Sequence, residues 1–238
     1  MSYTYATFRT ALAEMVVSEE TSADFLSILP SAIDYAEQRV YRELDLLSTV
    51  VRDATTALVV GSRTQTLPTT TGVFVVVDGA AVVVPAGSSI SGGTRAPLTP
   101  VSLSVLDTLW PADTVVQGQP VVFAVVDQTT IAVGPSPDAS YVVEIVGTQR
   151  PAPLSASNTA TFLSQYLPDL FLAAAMVFMS GYMRNFGSQA DDPKMGASWE
   201  GQYQTLKSSA MVEEMRKKFV SSSWSSQPPA PLATPARN

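Results

Sequence analysis

The stretch from Tyr166 to Gly187 constrains the fold more than any other part of the chain, because it has a helix pattern without a polar face. Pro168 suits the first position of a helix, where its missing N–H costs nothing, and Gly187 suits the position just after the end. No charged residue occurs from Leu170 to Met183. A helix that is apolar all round is buried on every side.

Either a bilayer or other protein helices could bury this segment. Its uncharged part is shorter than the roughly 20 residues that a membrane-spanning helix needs, so burial among helices is favoured and no membrane span is expected. The chain offers few other helices to cover it. We therefore expect a neighbouring copy to cover part of it, through inter-subunit packing by Phe171, Met176, Phe178, Met179 and Tyr182.

Composition excludes several kinds of chemistry. The chain has 238 residues, of which 46% are hydrophobic and 15% charged, and it contains neither Cys nor His. This removes disulfides, thiol nucleophiles, histidine bases and most zinc and transition-metal sites. We expect no cofactor and no bound metal, and the composition fits one or two globular domains.

The charge balance and the first residues bear on partners and location. The net charge is −7, whereas gripping a phosphate backbone takes clustered Lys and Arg. The N-terminal MSYTYATFRT lacks the basic and apolar regions of a signal peptide. We expect the protein to remain in the cytoplasm where it is made, or in what is assembled there.

Helical periodicity dominates residues 1–47. Thr4 can cap a first helix that runs to about Val17, and Ser22 can cap a second. Pro30 disfavours helical geometry at the residue before it, so we expect a break or kink there, followed by an amphipathic helix to about Leu47. Five charged residues are predicted to face away from its apolar stripe: Asp34, Glu37, Arg39, Arg42 and Glu43.

Residues 48–150 change to short β-rich runs separated by turn residues, a pattern typical of a small sandwich or barrel. Asp78-Gly79 lies between Val73–Val77 and Ala80–Val84, which predicts a hairpin. Ser102 can cap a short helix that Pro111 ends. Both ends of the region lead into helices, so we expect a small antiparallel β domain inserted into a helical unit.

The C-terminal part returns to helices. After a Pro/Ala/Ser linker, Asn158 or Thr159 can cap a short helix through Tyr166, and Asp191-Asp192-Pro193 can start a last helix after the apolar one. The sequence thus predicts an α+β fold: a helical bundle from residues 1–47 and 151–220, a β domain at 48–150, and a flexible tail at 221–238.

Basic and aromatic residues concentrate near the C-terminus and form a candidate docking segment. A helix cap or a dock for an acidic protein surface is favoured there over nucleic-acid binding. The segment comprises Lys207, Arg216, Lys217, Lys218, Phe219 and Trp224.

Catalytic residues are harder to find. The carboxylate pairs Glu19-Glu20, Asp191-Asp192 and Glu213-Glu214 are adjacent in sequence, whereas a glycosidase pair projects into a cleft at a set separation. No GxSxG turn is present, and no base is available to activate a serine. We expect no catalytic residue; a hydrolase based on carboxylates is the remaining enzymatic alternative.

Several segments, in this order, resemble the head-to-tail adaptor (connector) proteins of tailed bacteriophages. The resemblance extends from the first helices to about residue 220, and no single motif in it is chemically diagnostic. The segments are PSAIDYAEQRVYRELDLLSTVVRD (30–53), LTPVSLSVLDTLWP (98–111), QGQPVVFAVVDQTTIAVGPSPDASYVVEIVGT (117–148), YLPDLFLAAAMVFMSGYMRNFG (166–187) and DPKMGASWEGQYQTL (192–206).

The resemblance implies a structural protein of the virion neck, assembled in the bacterial host cytoplasm. It implies a homo-oligomeric ring, usually of twelve copies, that binds the dodecameric portal on one side and tail or nozzle proteins on the other. DNA would pass through the channel during ejection without specific binding, which suits the acidic balance. No catalytic residue is carried over, and the loop Gly87–Gly93 and the tail after Ser221 match no part of the family pattern.

A function of another class is also compatible with the sequence. The β domain could be a binding module that recognises carbohydrate or a host surface, because it has loops that could be exposed; a fold alone does not establish this. Specific binding of residues 48–150 on a glycan array would favour it. The sequence alone leaves open the copy number and which surface faces the portal.

Overall fold

A computed structural model describes residues 2–69, 71–112, 116–182 and 195–221, with the side chains of residues 195 and 219–221 excepted. The chain divides into two compact units, which are described separately. A helical unit comprises Met1–Leu47 with Leu154–Asn238, and a β unit comprises Ser48–Pro153. The expected α+β class is confirmed.

Six α-helices occur in the described residues, with a short 3-10 helix at Leu47–Thr49. They are α1 (Tyr5–Val16), α2 (Ala23–Glu43), α3 (Leu103–Leu109), α4 (Phe162–Tyr166), α5 (Pro168–Tyr182) and α6 (Met195–Ser221). The strands are β1 (Val50–Ala57), β2 (Thr64–Thr66), β3 (Gly72–Val84), β4 (Thr94–Pro100), β5 (Gln117–Gly118), β6 (Val122–Asp127), β7 (Thr130–Gly134), β8 (Ser136–Pro137) and β9 (Val142–Pro151). None of the described helices is long and apolar enough to cross a bilayer.

Helix α1 begins as the sequence predicts, whereas α2 does not break. The Thr4 side chain accepts the Thr7 N–H in a capping box. Helix α2 runs continuously through Pro30, so the break, one of the two expected outcomes, is wrong. Leu29 and Ile33, on either side of the proline, are both buried in one core, while Pro30 itself is exposed. Core burial on both sides outweighs the roughly 3 kcal/mol that an internal proline costs a helix.

Helix α5 lies at the centre of the helical core, and its own chain covers it. Phe171, Met176 and Met179 are at most 1% exposed within the single chain. The Phe8 ring of α1 stacks on Phe171 with ring centroids 4.4 Å apart. The argument that a neighbouring copy must cover these three residues is therefore wrong, because α1, α2 and α6 supply more cover than the helix count suggested.

Other boundaries of the helical unit also differ from expectation. Thr161, rather than Asn158 or Thr159, caps α4 by accepting the Ser164 N–H. The predicted start of the last helix at Asp191-Asp192-Pro193 lies outside the described residues, as does most of the predicted tail.

The β unit is built on a seven-stranded sheet with the order β1-β9-β3-β4-β6-β7-β2, beside a two-stranded β5-β8 ladder. Most pairs are antiparallel, but β4 pairs with β6 in parallel, as β5 does with β8. The expectation of a wholly antiparallel domain is corrected accordingly: the sheet is mixed. Strands β6 and β7 form a hairpin, and in its turn Asp127 Oδ1 accepts the Thr129 N–H at 2.7 Å.

The predicted hairpin at Asp78-Gly79 is wrong, because β3 passes straight through these residues. Strand β9 pairs with β3 along most of its length, and the register shifts between Val77 and Gly79. Asp78 is thus the extra residue of a bulge, and Gly79 does not have the positive φ that an Asp-Gly turn requires. Pairing with a long partner strand outweighs the local turn preference.

Candidate functional site

An ion-pair cluster fastens α6 to α2. The Arg39 guanidinium donates to both Glu200 oxygens, at 2.7 and 2.6 Å, and to Glu43 at 3.0 Å. It also lies over the buried Tyr203 ring, 4.0 Å from the centroid. The Tyr203 hydroxyl donates to Glu43 at 3.1 Å, and Lys207 pairs with the same carboxylate at 2.8 Å.

These contacts change the pKa of Glu200 as well as the placement of α6. Hydrogen bonds from Arg39 lower the pKa of Glu200 to about 2, so the carboxylate stays charged near neutral pH. A planar guanidinium that binds one carboxylate through two hydrogen bonds and stacks on an aromatic ring is geometrically demanding, and lysine cannot replace it. The cluster therefore fixes the rotation of α6 about its axis.

A second set of contacts holds the C-terminal half of α6. The buried Glu214 carboxylate accepts the Leu47 N–H at 2.9 Å and a hydrogen bond from Lys217 at 2.7 Å. Lys218 pairs with Asp45. The segment that follows α2 is thereby tied to α6 by both a backbone contact and a charge contact.

These two sets of contacts account for three of the predicted docking residues. Lys207, Lys217 and Lys218 all pair with carboxylates of their own chain. Arg216 is exposed and makes no ion pair with any residue that the structure describes. Trp224 and the Phe219 side chain lie outside the described part of the chain.

The predicted helix-packing residues divide into two groups. Phe171, Met176 and Met179 belong to the core, whereas Phe178 and Tyr182 remain partly exposed. Phe178 contacts Tyr35 of α2, with ring centroids 5.3 Å apart. Neither group joins the basic residues in one site.

An apolar face on α6 was missed by the sequence analysis. Met211, Val212 and Met215 are 51%, 47% and 61% exposed, on the side of the helix that turns away from the buried Tyr203 and Ala210. The sequence signal is the MVEEM segment, in which apolar residues occupy positions i, i+1 and i+4. We call these three residues the α6 outer face.

An open cleft of about 690 Å³ lies elsewhere in the helical unit, where α1, α4, α5 and α6 meet. Asp169, in the first turn of α5, is one of its lining residues and is exposed. Its walls are mainly aromatic and apolar, with two glutamines: Tyr3, Met15, Gln165, Tyr166, Pro168, Leu172, Ala173, Trp199 and Gln202. We call it the α1–α5–α6 cleft.

Glu37 is a buried acid, although it was predicted to face outward. Its Oε1 accepts the Leu154 N–H at 3.1 Å and the Thr161 hydroxyl at 3.4 Å. Burial raises the pKa of Glu37 to about 7, and the nearby charge of Asp34 adds to the shift. Its two donors come from the segment that leads into α4, so Glu37 ties this segment to α2 and has a structural explanation.

The other carboxylate pairs offer no catalytic geometry. Glu20 pairs with Arg9, and Glu213 and Glu214 both pair with Lys217. Across the described residues, no cluster of three or more potential metal ligands occurs. Asp191-Asp192 lies outside them.

An open cleft in the β unit is a second candidate binding site. Small, polar and aliphatic residues and one arginine line it, without an aromatic ring on which a sugar could stack: Ala54, Ser89, Ile90, Ser91, Gly93, Arg95 and Val142. Its one charged lining residue, Arg95, already pairs with the buried Glu144 at 2.5 Å. The lining does not favour carbohydrate recognition.

Comparison with known proteins gives one result that covers most of the chain. The family model described as SU10 adaptor protein matches residues 3–228. No curated protein matches the chain. The family match spans both the helical unit and the β unit.

Proposed function

The chain belongs to the SU10 adaptor protein family, and we propose that it forms a ring under the portal that connects the phage head to the tail and lets DNA pass. The family identifies a bacteriophage structural adaptor and a virion component that interacts with head or tail components. The match over residues 3–228 is the single observation that carries the proposal. The position under the portal, the ring and the passage of DNA are the finer steps proposed here.

The chemistry of the chain supports a structural role. It has no His or Cys, and the described carboxylate pairs are used in ion pairs within the chain. Such adaptor families are typically non-enzymatic, and we propose the same for this protein. The two compact units would act as two domains of one connector, with the β unit inserted between the two parts of the helical unit.

The charge balance supports a channel through which DNA passes without binding. Residues 1–150 carry 15 acidic and seven basic side chains. A surface of this sign repels the phosphate backbone, so DNA would gain no tight site along the channel.

The ring would comprise twelve copies on a dodecameric portal, with tail or nozzle proteins on the opposite side. We place the portal or inter-subunit contact in the segment from Lys207 to the C-terminus, including Phe219 and Trp224. Three lysines of this segment already pair with their own chain, so Arg216 is the basic side chain without an ion pair among the residues of the segment that the structure describes.

Mixing the purified full-length protein with its portal and imaging the mixture by negative-stain electron microscopy tests the proposal. We expect an additional ring on one face of the portal, with a central channel. A portal that stays bare at micromolar adaptor concentrations would contradict the proposed function. Mixing with an unrelated portal is the matched control.

A further inference from the structure

We infer that the α6 outer face of one copy docks into the α1–α5–α6 cleft of the next copy. The inference rests on the proposed ring and specifies which two surfaces build it. Both surfaces belong to the helical unit, and contacts within the described chain leave both open.

The α6 outer face has a composition suited to a protein contact. Two methionines and a valine are about half exposed, although the inner side of the same helix is well packed by Tyr203 and Ala210. Apolar groups that cluster on an otherwise polar helix mark interaction surfaces more often than isolated ones do. Methionine side chains are flexible and polarisable, so they adapt to a cavity made by another surface.

The cleft has the complementary character. Tyr3, Tyr166 and Trp199 give it aromatic walls, and Met15 and Leu172 add aliphatic surface. Tyr166 stacks on Phe162, with ring centroids 5.0 Å apart, and yet its side chain remains 71% exposed. Methionine sulfur makes favourable contacts with aromatic rings, so the occupant that fits best carries exposed Met.

Charge complementarity identifies a second copy as the occupant. Arg216 follows Met215 directly and is exposed, while Asp169 is one of the residues that line the cleft and is also exposed. Neither makes an ion pair with another described residue. Docking the outer face into the cleft brings these two opposite charges to the same rim.

The α6 outer face of one copy cannot contact the cleft of the same copy. Trp199 in the cleft and Met215 on the outer face are separated by 16 positions of α6, or about 24 Å at 1.5 Å per residue. A contact between different surfaces of identical copies is head-to-tail, and such contacts close into rings when the rotation permits. A patch that paired with itself would instead stop at a dimer.

Cysteine cross-linking tests the contact directly, because the chain has no cysteine of its own. The variant Met15→Cys/Met215→Cys places one thiol at the cleft and one on the outer face of every copy. Full-length protein assembled on the portal is oxidised, denatured and separated without reductant. We expect a ladder of covalent multimers beyond the dimer, which a reductant collapses to monomer.

Single-cysteine variants are the matched controls. Met15→Cys alone and Met215→Cys alone should remain monomeric after oxidation. Dimers from Met215→Cys alone would show that α6 pairs with itself, and dimers without higher multimers from the double variant would show a closed two-fold pair. Either result overturns the inference.

Charge reversal supplies an independent readout that requires no cross-link. Arg216→Asp and Asp169→Arg should each raise about tenfold the protein concentration at which the ring is completed on the portal, and the double variant should restore most of the loss. Leu109→Asp, at a 56% exposed position of the β unit, is the control for adding a carboxylate to an exposed site. Wild-type association in both single variants would overturn the inference.

The two proposals fail in different ways. If rings form on the portal but the double-cysteine variant gives no ladder, the subunit contact is elsewhere and the proposed function stands. If Arg216→Asp and Met215→Asp leave ring closure intact and abolish only portal binding, the outer face is a portal surface and the inference fails. A wild-type protein that forms no ring on its portal contradicts both.

Discussion

Replacing the buried Glu37 with glutamine tests how the helical unit depends on pH. The carboxyl has a pKa of about 7 in the folded chain against an ordinary value of 4.5. Between these two values the folded state binds more protons than the unfolded state, so the free energy of unfolding falls as pH rises. The stabilising contribution is fully present below pH 4.5 and is lost as pH rises through 7.

The magnitude follows from the size of the shift. At about 1.4 kcal/mol per pKa unit, the loss is roughly 3 kcal/mol across this range. Glutamine has nearly the same shape and can accept the hydrogen bonds from Leu154 and Thr161 that Glu37 accepts. It does not titrate, so Glu37→Gln removes the pH dependence and retains most of the packing.

Urea unfolding of the full chain, followed by circular dichroism at 222 nm, measures the effect. The free energy of unfolding of the wild type minus that of Glu37→Gln should fall by roughly 3 kcal/mol from about pH 4 to about pH 8. Taking this difference cancels the contributions of the other carboxylates. In an Asp34→Asn background the same difference should fall by less, because the charge of Asp34 adds to the shift, but most of the fall should persist, because burial is its largest cause. A difference that stays flat within about 0.5 kcal/mol would show that burial does not perturb this acid.

Four further experiments have expected outcomes. Gly147→Ala places a Cβ 2.2 Å from a carbonyl oxygen of β3, so thermal melts should show that the β unit is destabilised by about 2–4 kcal/mol. Gly201→Ala, in open space on α6, is the control and should not destabilise the chain. Met176→Asp should unfold the helical unit, because an unpaired buried charge costs more than about 3 kcal/mol; Met211→Asp should keep the wild-type helical signal. Deletion of Ser221–Asn238 should preserve that signal but reduce co-sedimentation with the portal, and wild-type attachment and particle yield would refute the docking role. Filter binding at physiological salt should show no tight, salt-sensitive retention of duplex DNA.

Local signals predicted several elements correctly because the forces that form them are local. Thr4 and Ser102 both cap the helices that their sequences predicted, and α5 begins at Pro168. A capping hydrogen bond or a proline at the first turn depends on residues three or four positions away, so the rest of the fold has little influence on it.

Pairings between distant segments decided the elements that were predicted wrongly. Pro30 was expected to break or kink the helical pattern, and Asp78-Gly79 was expected to form a hairpin. A shared core in the first case and pairing with β9 in the second outweighed these preferences, and neither is visible in a window of ten residues. Glu37 shows the same limit, since its two donors come from residues 154 and 161.

The sequence identifies the candidate docking residues by their charge and aromatic character, but it does not show which of them are already engaged in ion pairs within the chain. The chain order shows that basic residues gather at the end of α6. It does not show that Glu43, Asp45 and Glu214 pair with three of them. The α6 outer face was missed for a related reason. The residues on the inner side of the helix, such as Tyr203 and Ala210, already explained its helical periodicity, so no role was assigned to Met211 and Met215.

The limited area of the α6 outer face sets the conditions under which a ring could form. Three side chains that are already about half buried supply far less than the roughly 1,200–2,000 Å² of total surface that a stable protein pair usually buries. Two free copies would therefore associate weakly. Copies held side by side on a symmetric portal would meet at a high effective concentration, so the same small contact would then suffice to complete the proposed ring. If the proposed ring forms in this way, assembly would follow portal binding, and the weak contact would keep free copies from closing rings beforehand.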